Sequence, residues 1–351
     1  MANKKLKLNN KDIARLVMRA MILKQPKPIE ESPLFYEDVE EPFPGKGEIR
    51  IKIKSCGVCH TDLHTIEGDL SLPKLPIIPG HQIVGIVDNL GSDTHRFKAG
   101  ERVGVPWLYS TCQDCQFCIR GLENLCEKAY FTGLHKDGGY AQYIVVPEDF
   151  SYPLPDRFPD LQAAPLLCAG IIGYRSLRLS EIKPGEKLGM YGFGASAHVT
   201  IQVARYLGCE VYVFTRSAEH RKHAEERGAF WTGSADDKPP VLMDSSIIFA
   251  PSGDLVLKAL KILRKGGTLA LAGIHMSPIP KMDYHLIYGE RTIRSVANST
   301  RGDAEELLKL AAGIPLHTDI EVFPLNEANE VLKRLKRSEI KGAAVLEIPE
   351  G

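Results

Sequence analysis

The sequence lacks an excess of charge of either sign and any long apolar run. Its 351 residues include 44 Lys and Arg and 44 Asp and Glu. Without a global positive field, binding to nucleic acid or to an anionic membrane is disfavoured. The longest apolar stretch, near Ala163–Ile172, is well short of the roughly 18 residues that indicate a membrane-spanning helix. The sequence therefore predicts a globular protein with neither nucleic acid nor membrane as a partner.

Residues 1–17 also lack the apolar region of a secretory signal, because Lys and Asn dominate them. We assign this N-terminal extension no function, and a charged helix or a disordered tail is the plain interpretation of residues 1–15. The expected location is the cytoplasm, where the eight cysteines stay reduced. Clustered thiols in such a protein indicate metal binding or catalysis and not disulfides.

The length suggests two domains, at about 150 residues each. Residues 18–158 contain many short strand-like segments, such as Glu48–Lys54, Ile83–Val87 and Tyr140–Val146, which Pro and Gly separate densely. Such a pattern predicts a compact β-rich domain.

The pattern changes in residues 159–298, where strand-like and helix-like segments alternate. Strand-like Lys187–Tyr191, for example, precedes helix-like Ala195–Leu207. This alternation is typical of βαβ units, so we expect an α/β fold with a parallel sheet covered by helices on both faces. Residues 299–351, which end in a strand at Ala343–Ile348, are expected to return to the β-rich domain.

Four cysteines stand within fifteen residues with the spacing C-x2-C-x2-C-x7-C. Four thiolates can close a tetrahedral shell around zinc and leave no position for substrate, so the predicted site is structural. The main alternative is an iron–sulfur cluster. The bacterial ferredoxin run has a final gap of three residues followed by Pro, whereas here the gap is seven and Glu127 follows, which favours zinc. The four residues are Cys112, Cys115, Cys118 and Cys126.

Three shorter motifs contain further candidate ligands, and each is weak alone. Cys56 and Cys59 form a C-x-x-C pair of the thioredoxin type, but the pair follows a strand in a β-rich region and opens no βαβ unit. A lone histidine such as His81 is more often a structural residue than a ligand. Cys168 stands among apolar residues, where a cysteine usually belongs to the core.

Taken together, these motifs resemble those of the medium-chain zinc alcohol dehydrogenases. The shared segments are GVCHTDLH, PGHQIVG, the four-cysteine lobe, APLLCAG, a glycine turn and KGGTLALAGI, in the family's order, and the match runs from about residue 18 to residue 347. The resemblance implies a GroES-like β-rich catalytic domain and a Rossmann-type, doubly wound cofactor domain. It also implies that Cys59, His81 and Cys168 hold a catalytic zinc whose fourth position stays open.

The resemblance also gives roles to the residues that follow the first of these ligands. Thr61 corresponds to the hydroxyl that hydrogen-bonds the substrate oxygen. Asp62 corresponds to the carboxylate that orients the histidine ligand, and His64 to the outer end of a proton relay. His60 corresponds to a basic position at the cofactor pyrophosphate. Helix capping is the alternative role for Thr61 and Asp62.

One departure from the family lies at Gln82, where relatives usually carry Glu. A carboxylate there can approach the metal as a transient ligand, whereas a neutral amide is a weaker donor. We therefore expect the catalytic zinc site to carry one less negative charge. By the same resemblance, Trp107 and Phe131 are candidates for the wall of the substrate pocket.

The glycine turn follows a strand and opens a helix, which is the context of a dinucleotide-binding fingerprint. It reads Gly192-x-Gly194-x-x-Ala197. Its glycines let the backbone approach a pyrophosphate, and the N-terminus of the helix favours negative charge.

The end of the next strand-like segment carries no acidic residue. Thr215 stands where NAD enzymes place an Asp or Glu, and Arg216 follows it. A guanidinium can pair bidentately with a ribose 2′-phosphate, so the sequence predicts NADP over NAD. Arg221 and Lys222 lie one helical turn on and are expected to assist. The alternative is a solvated basic helix start.

The predicted activity is reversible hydride transfer between a small-molecule alcohol and NADP, with two zinc ions per chain and aldehyde reduction favoured. Homodimers or homotetramers are expected by resemblance. One alternative is a quinone or enone reductase on the same fold, but such relatives generally lack the Cys59–His81–Cys168 set. The other is a zinc-stabilised, NADP-binding sensor or structural protein without turnover.

Overall fold

The structure, a computed structural model, describes residues 16–350. The expectations for residues 1–15 therefore lie outside the described residues. The first half of the chain is built mainly from short strands. These strands are β1 (Val17–Leu23), β2 (Leu34–Glu40), β3 (Glu48–Val58), β4 (Gln82–Leu90), β5 (Arg102–Val105), β6 (Leu108–Ser110), β7 (Tyr130–Phe131), β8 (Tyr143–Pro147) and β9 (Tyr152–Pro153). The helices between and after them are α1 (His60–Glu67), α2 (Gln116–Ile119) and α3 (Asp160–Ala163).

Helices and strands alternate from residue 169 onward. The helices are α4 (Ala169–Ser180), α5 (Ala195–Tyr206), α6 (Ala218–Glu226), α7 (Asp254–Ile262), α8 (Arg301–Gly313) and α9 (Ala328–Lys336). The strands are β10 (Lys187–Tyr191), β11 (Glu210–Phe214), β12 (Trp231–Gly233), β13 (Met243–Ile248), β14 (Leu263–Leu271), β15 (Thr292–Ser295), β16 (Ile320–Pro324) and β17 (Ala343–Glu347). Within residues 16–350, no helix is both long and apolar enough to cross a membrane.

Strand β3 is the central strand of the β-rich half. Ile49, Ile51 and Ile53 are buried, while the polar residues between them are half-exposed, as a period of two predicts. The strand predicted at Glu48–Lys54 is confirmed and continues to Val58, because β4 and β17 both pair antiparallel with its second half. The sheet has the order β16-β17-β3-β4-β5-β9, and β8 also pairs with β3.

The second half contains a six-stranded, fully parallel sheet of order β12-β11-β10-β13-β14-β15. The predicted pairing of a β-rich part with a doubly wound parallel sheet is confirmed. Helix α5 packs its apolar side, including Ala197, Val199 and Ile201, into the core against β10 and β11. In such a sheet, ligands bind at the carboxyl ends of the strands where the strand order reverses. That point lies between β10 and β13, directly below the glycine turn.

The chain crosses back to the β-rich sheet after α8. Helix α8 packs on α4 beside the parallel sheet, whereas β16 and β17 extend the sheet of β3. Residues 314–319 make this crossing. The domain boundaries proposed from the sequence, at residues 158 and 298, stay predictions.

Strand β8 begins later than the sequence pattern predicted. The predicted strand started at Tyr140, but β8 starts at Tyr143. The Tyr140 N–H donates to the Pro79 carbonyl at 3.0 Å, and its carbonyl accepts from the Met21 N–H at 2.8 Å. These contacts with distant segments replace the ladder of a regular strand.

Asp303 ties the start of α8 to α4 in a buried charge cluster. Its carboxylate is fully buried and accepts hydrogen bonds from Arg175 and Arg178, each at 2.6 Å. It also accepts from the N–H of Thr300 at 2.8 Å, as part of a capping box. Burial raises the pKa of Asp303, but the Thr300 N–H and the Arg175 charge outweigh it and hold the pKa below its usual value.

We expect Asp303→Asn to lower the free energy of unfolding by about 3 kcal/mol at pH 7, because it leaves the Arg175 charge buried without its partner. Since the pKa of Asp303 is depressed in the folded state, its contribution is present above the unfolded pKa and is lost as the pH falls through the folded pKa. Thermal unfolding of both proteins across this range measures the effect. A difference in stability between wild type and Asp303→Asn that stays constant below about pH 4 would contradict the depressed pKa assigned to Asp303.

Candidate active site

Cys59 follows directly on β3 and forms the N-cap of α1. Its Sγ accepts a hydrogen bond from the N–H of Thr61 at 3.3 Å, and Asp62 Oδ2 accepts from the N–H of Cys59 at 3.0 Å. These reciprocal bonds form a capping box, with cysteine in the place usually taken by Ser or Thr. The capping role considered for Asp62 is thus present in the structure.

Three predicted ligands converge beside the start of α1. The Sγ of Cys59 lies 3.4 Å from Nε2 of His81 and 4.0 Å from Sγ of Cys168. All three donor atoms lie within 4.8 Å of one another. Zinc–sulfur bonds of about 2.3 Å at tetrahedral angles separate two sulfur ligands by about 3.8 Å. The three side chains therefore fit one zinc ion and leave its fourth position to another ligand.

Asp62 also determines how the His81 ring presents its nitrogens. Its Oδ1 lies 2.9 Å from Nδ1 of His81, and both side chains are 2% exposed. Nδ1 therefore carries the donated proton, and the lone pair of Nε2 faces the cysteines. The Cys168 thiol and the His81 ring hold the pKa of Cys59 well below its usual value, which favours the thiolate that metals bind.

The four-cysteine lobe also brings its sulfurs together. The Sγ–Sγ distances are 3.9 Å for Cys112–Cys118, 3.5 Å for Cys115–Cys118 and 3.5 Å for Cys112–Cys126. All four lie within 4.8 Å of one another, so they fit a closed tetrahedral zinc shell. Within residues 16–350, these four residues and the set around Cys59 are the only such donor clusters.

Two aromatic residues form a wall beside the three-ligand set. The rings of Trp107 and Phe131 stack with centroids 4.4 Å apart, and Trp107 lies 6.1 Å from the ring of His81. Trp107 therefore stands next to a metal ligand, and Phe131 stacks on Trp107. Their apolar faces can exclude water from one side of a bound substrate.

The other candidate residues on α1 differ in their surroundings. His60 is exposed at the first helical position, and the half-exposed Thr61 follows it. His64 Nδ1 lies 2.7 Å from Asp69 Oδ2. The His64 ring is also 6.0 Å from that of His275, in the loop after β14. Helix α1 therefore faces the carboxyl edge of the parallel sheet.

Gln82 is buried as the first residue of β4, directly opposite Gly57 of β3. A Cβ on Gly57 would lie 2.7 Å from the Gln82 Oε1, so the glycine makes room for this amide. The side chain thus packs over β3. The expected loss of one negative charge at the metal site stays a prediction.

The glycine turn has the backbone geometry that close approach of a ligand needs. Gly192 has φ 89°, a left-handed conformation that favours glycine, and its N–H donates to the Phe214 carbonyl at 2.9 Å. Nothing lies within 4 Å of the position of a Cβ on Gly194. Gly194 caps α5 without a side-chain hydrogen bond, which leaves the first N–H groups of the helix free for an anion. Ala197 is fully buried, where its small side chain allows close helix–sheet packing.

The loop after β11 places the basic residues in two different roles. Arg221 donates through Nε to the Thr215 carbonyl at 3.0 Å and through Nη2 to the Arg216 carbonyl at 3.4 Å. It therefore braces the loop, a role that the sequence did not indicate. Arg216 and Lys222 are exposed, and neither makes an ion pair with the described residues.

Tyr140 is a site residue that sequence reasoning missed. Its ring fills the space above Gly80, where a Cβ would lie 2.4 Å from the ring. The hydroxyl is buried without a hydrogen-bond partner among the described residues. Burial, together with the charge of Asp62, raises the pKa of Tyr140 well above its usual value, so the ring stays neutral beside the ligand set. The two glycines that precede Tyr140 do not by themselves indicate such a contact.

Comparison with known proteins agrees with this architecture. The family model described as alcohol dehydrogenase GroES-like domain matches residues 45–156, and that described as zinc-binding dehydrogenase matches residues 197–313. The chain is 46% identical over 335 residues to a probable alcohol dehydrogenase of Mycobacterium tuberculosis, covering 94% of this chain and 97% of that protein.

Solved structures with the same fold include enzymes with metal or cofactor bound. A cobalt- and zinc-bound thermostable alcohol dehydrogenase from Pyrobaculum aerophilum has a TM-score of 0.87 at 26% identity and covers 95% of this chain and 100% of its own. The structure of CAD from Helicobacter pylori complexed with NADP(H) has a TM-score of 0.84 at 25% identity and covers 95% of this chain and 98% of its own. The GroES-like and Rossmann-type parts are thereby confirmed, and the chain belongs to the zinc-dependent, medium-chain alcohol dehydrogenase family.

Proposed function

We propose that the protein catalyses reversible hydride transfer between a small-molecule alcohol and NADP, with aldehyde reduction as the favoured direction. The observation that carries the proposal is the three-ligand set of Cys59, His81 and Cys168, which leaves one position of a tetrahedral zinc to another ligand and lies beside α1, whose His64 meets His275 at the carboxyl edge of the parallel sheet. We infer a reducing compartment such as the cytoplasm, because zinc binding needs free thiolates.

We propose two zinc ions per chain, one held by the three-ligand set and one by the four-cysteine lobe. A catalytic zinc supplies Lewis-acid polarisation of the substrate oxygen. Asp62 keeps the proton on Nδ1 of His81, so that Nε2 remains a ligand. Trp107 and Phe131 exclude water from the reacting carbon on their side. Quinone or enone reduction is disfavoured, since it needs no such ligand set.

The proton of the reaction passes along α1 in this proposal. The hydroxyl of Thr61 makes no hydrogen bond with the described residues and is free to hold a proton between substrate and cofactor ribose. His64 accepts the proton at the outer end. Its ring is 22% exposed, and its Nδ1 lies 2.7 Å from Oδ2 of Asp69. In this proposal His60, which is exposed at the start of α1, contacts the cofactor pyrophosphate.

The preference for NADP rests on the loop after β11. Thr215 leaves the ribose site without a carboxylate that would repel a 2′-phosphate. The exposed Arg216 and Lys222 supply positive charge, and Arg221 fixes the carbonyls that shape the loop. The free N–H groups that follow Gly194 supply the pyrophosphate site.

Removing one ligand of the catalytic set tests the metal assignment. Cys59→Ser should lower kcat/KM for aldehyde reduction by at least about 1,000-fold, since polarisation by a metal supplies several kcal/mol. Zinc analysis should give two ions per wild-type chain and one per variant chain. The matched control is Cys209→Ser, because Cys209 is a buried core thiol that lies outside both donor clusters and donates to the Lys183 carbonyl at 3.5 Å. A fully active Cys59→Ser protein would show that the ligand assignment is wrong. One zinc per wild-type chain would instead favour a sensor without turnover.

Steady-state kinetics with both cofactors tests the NADP preference. The wild-type protein should have the higher kcat/KM with NADPH. Arg216→Ala should lower that value about tenfold and leave the value with NADH nearly unchanged, because a charged hydrogen bond contributes roughly 1.5–3 kcal/mol. The control is Lys261→Ala, an exposed lysine at the end of α7. A higher efficiency with NADH in the wild type would exclude the NADP assignment.

We also propose that two chains associate through the edge strand β15. This strand is an edge of the described parallel sheet, and its N–H and C=O groups on that side are unpaired. Tyr284 and Tyr288, just before it, are 71% and 68% exposed. A two-fold axis would pair β15 with its own copy. Light scattering should give the mass of a dimer or tetramer, and Ile293→Pro should reduce it; a monomeric wild type would contradict the proposal.

A further inference from the structure

Asp319 lies on the segment 314–319 that carries the chain from the parallel sheet to the β-rich sheet. Its carbonyl accepts a hydrogen bond from the N–H of Ala343, in β17, at 2.9 Å. Its side chain and its N–H point the other way and contact two helices of the parallel-sheet half, α5 and α6. One residue thus bonds both halves of the molecule.

The first contact reaches α5 one turn after the glycine turn. The N–H of Asp319 donates to Nε2 of the fully buried His198 at 3.3 Å. Burial lowers the pKa of His198 to about 4, so the ring is neutral at pH 7 and Nε2 keeps its lone pair. Gln202, the next turn along, bonds the backbone N–H and carbonyl of His317 at 3.0 and 2.8 Å. Helix α5 is therefore fixed to this segment at two successive turns.

The second contact reaches α6. The Asp319 carboxylate accepts from Nε2 of His223 at 2.6 Å and from both Nε, at 3.0 Å, and Nη2 of Arg227. Burial raises the pKa of Asp319, but the bonds from His223 and Arg227 outweigh it and hold the pKa below its usual value. The His223 ring meets the ring of Phe193 edge-on with centroids 5.3 Å apart, and Phe193 lies between the two glycines of the turn.

Through these contacts Asp319 supports both α5 and α6, the two helices that contribute to a dinucleotide site. Helix α5 presents the free N–H groups for the pyrophosphate, and α6 carries the Arg221 that shapes the loop for the adenosine ribose. We propose that Asp319 is a positioning residue for the dinucleotide, which braces α5 and α6 against the β-rich half and keeps the glycine turn in its binding geometry. The inference rests on the proposed binding of a nicotinamide dinucleotide.

The physical basis is the precision that anion binding at a helix N-terminus requires. Backbone N–H groups must point at the phosphate oxygens within hydrogen-bond reach, and the helix cannot bend locally to compensate for a shift. Without the carboxylate, Arg227 and His223 lose their partner and α6 loses its attachment to the crossing segment. Without the carboxylate, we expect the glycine turn to reach its binding geometry only when the dinucleotide binds. The free energy that this ordering requires then weakens dinucleotide binding.

The test compares Asp319→Asn with a matched variant elsewhere. Asp88 is also bonded through both oxygens to one arginine, Arg50, and its side chain is 26% exposed, against 20% for Asp319. Binding of NADPH to the zinc-loaded full chain is followed by the fluorescence of the reduced nicotinamide. Asp319→Asn should raise the Kd and the KM for NADPH at least about fivefold, with kcat at saturating NADPH changed less than twofold and zinc content unchanged. Asp88→Asn should lower the melting temperature comparably and leave the Kd within twofold.

A second pair of variants keeps the test decisive if Asp319→Asn does not fold. His198→Leu removes the acceptor for the Asp319 N–H and should weaken NADPH binding, whereas His198→Gln, whose amide oxygen can accept the same bond, should restore it. If Asp319→Asn folds, NADPH affinity equal to that of the wild type in this variant would overturn this inference alone. If it does not fold, NADPH affinity of His198→Leu equal to that of the wild type would do so. A wild-type chain that binds neither NADPH nor NADH would overturn the proposed function, and this inference with it.

Discussion

The carboxylate of Asp62 is the constraint on which the arrangement of the site depends. One oxygen accepts the N–H of Cys59 and so starts α1 at the end of β3, while the other holds the ring of His81. Cys59 and His81 stand 22 residues apart in the sequence, and the single side chain of Asp62 positions both of them. The same carboxylate caps α1 and orients the His81 ring. Asp62 therefore has both roles, helix capping and orientation of the histidine ligand, and they are not alternatives. Cys168 completes the set from the turn before α4, which belongs to the core of the parallel-sheet half.

The two halves of the molecule meet at the carboxyl edge of the parallel sheet, where one half supplies metal ligands and the other supplies the glycine turn. Helix α1 brings the ligand set to the carboxyl edge of the parallel sheet, as the contact of His64 with His275 shows. The glycine turn lies at the same edge, where the strand order reverses. On the other side, the four-cysteine lobe bonds the parallel-sheet half through Glu123 to Arg301 and through Asn124 to the Ala297 carbonyl. Hydrogen bonds therefore fix the interface at the four-cysteine lobe, and a contact between two histidine rings marks its other end.

Sequence reasoning predicted the parts of this structure that have local signatures. Cysteine spacing indicated the four-cysteine set, and a glycine turn between a strand-like and a helix-like segment indicated α5. The Cys59–His81–Cys168 set was implied only by the resemblance to a known family. The contacts that join distant segments were not predicted. Asp319 and His198 stand 121 residues apart, Tyr140 packs on Gly80, and Gln82 lies over Gly57. Two nitrogens of Arg221 bond loop carbonyls, and the sequence did not indicate this role because residue type does not reveal which donors the backbone uses. The assisting role of Arg221 at the cofactor stays a prediction.

The pairing of β3 with β17 has a consequence for the order in which the protein folds on the ribosome. Ala344, Val345 and Leu346 stand opposite Val58, Gly57 and Cys56, next to the first metal ligand. The sheet around Cys59 is therefore incomplete until residues 343–347 have been synthesised. The helices and strands between residues 169 and 313 form a contiguous stretch that can fold earlier. A nascent chain would then expose an unpaired edge of β3 while its dinucleotide half is already formed. Aggregation through this edge is the hazard in that interval, and chaperone binding would protect against it.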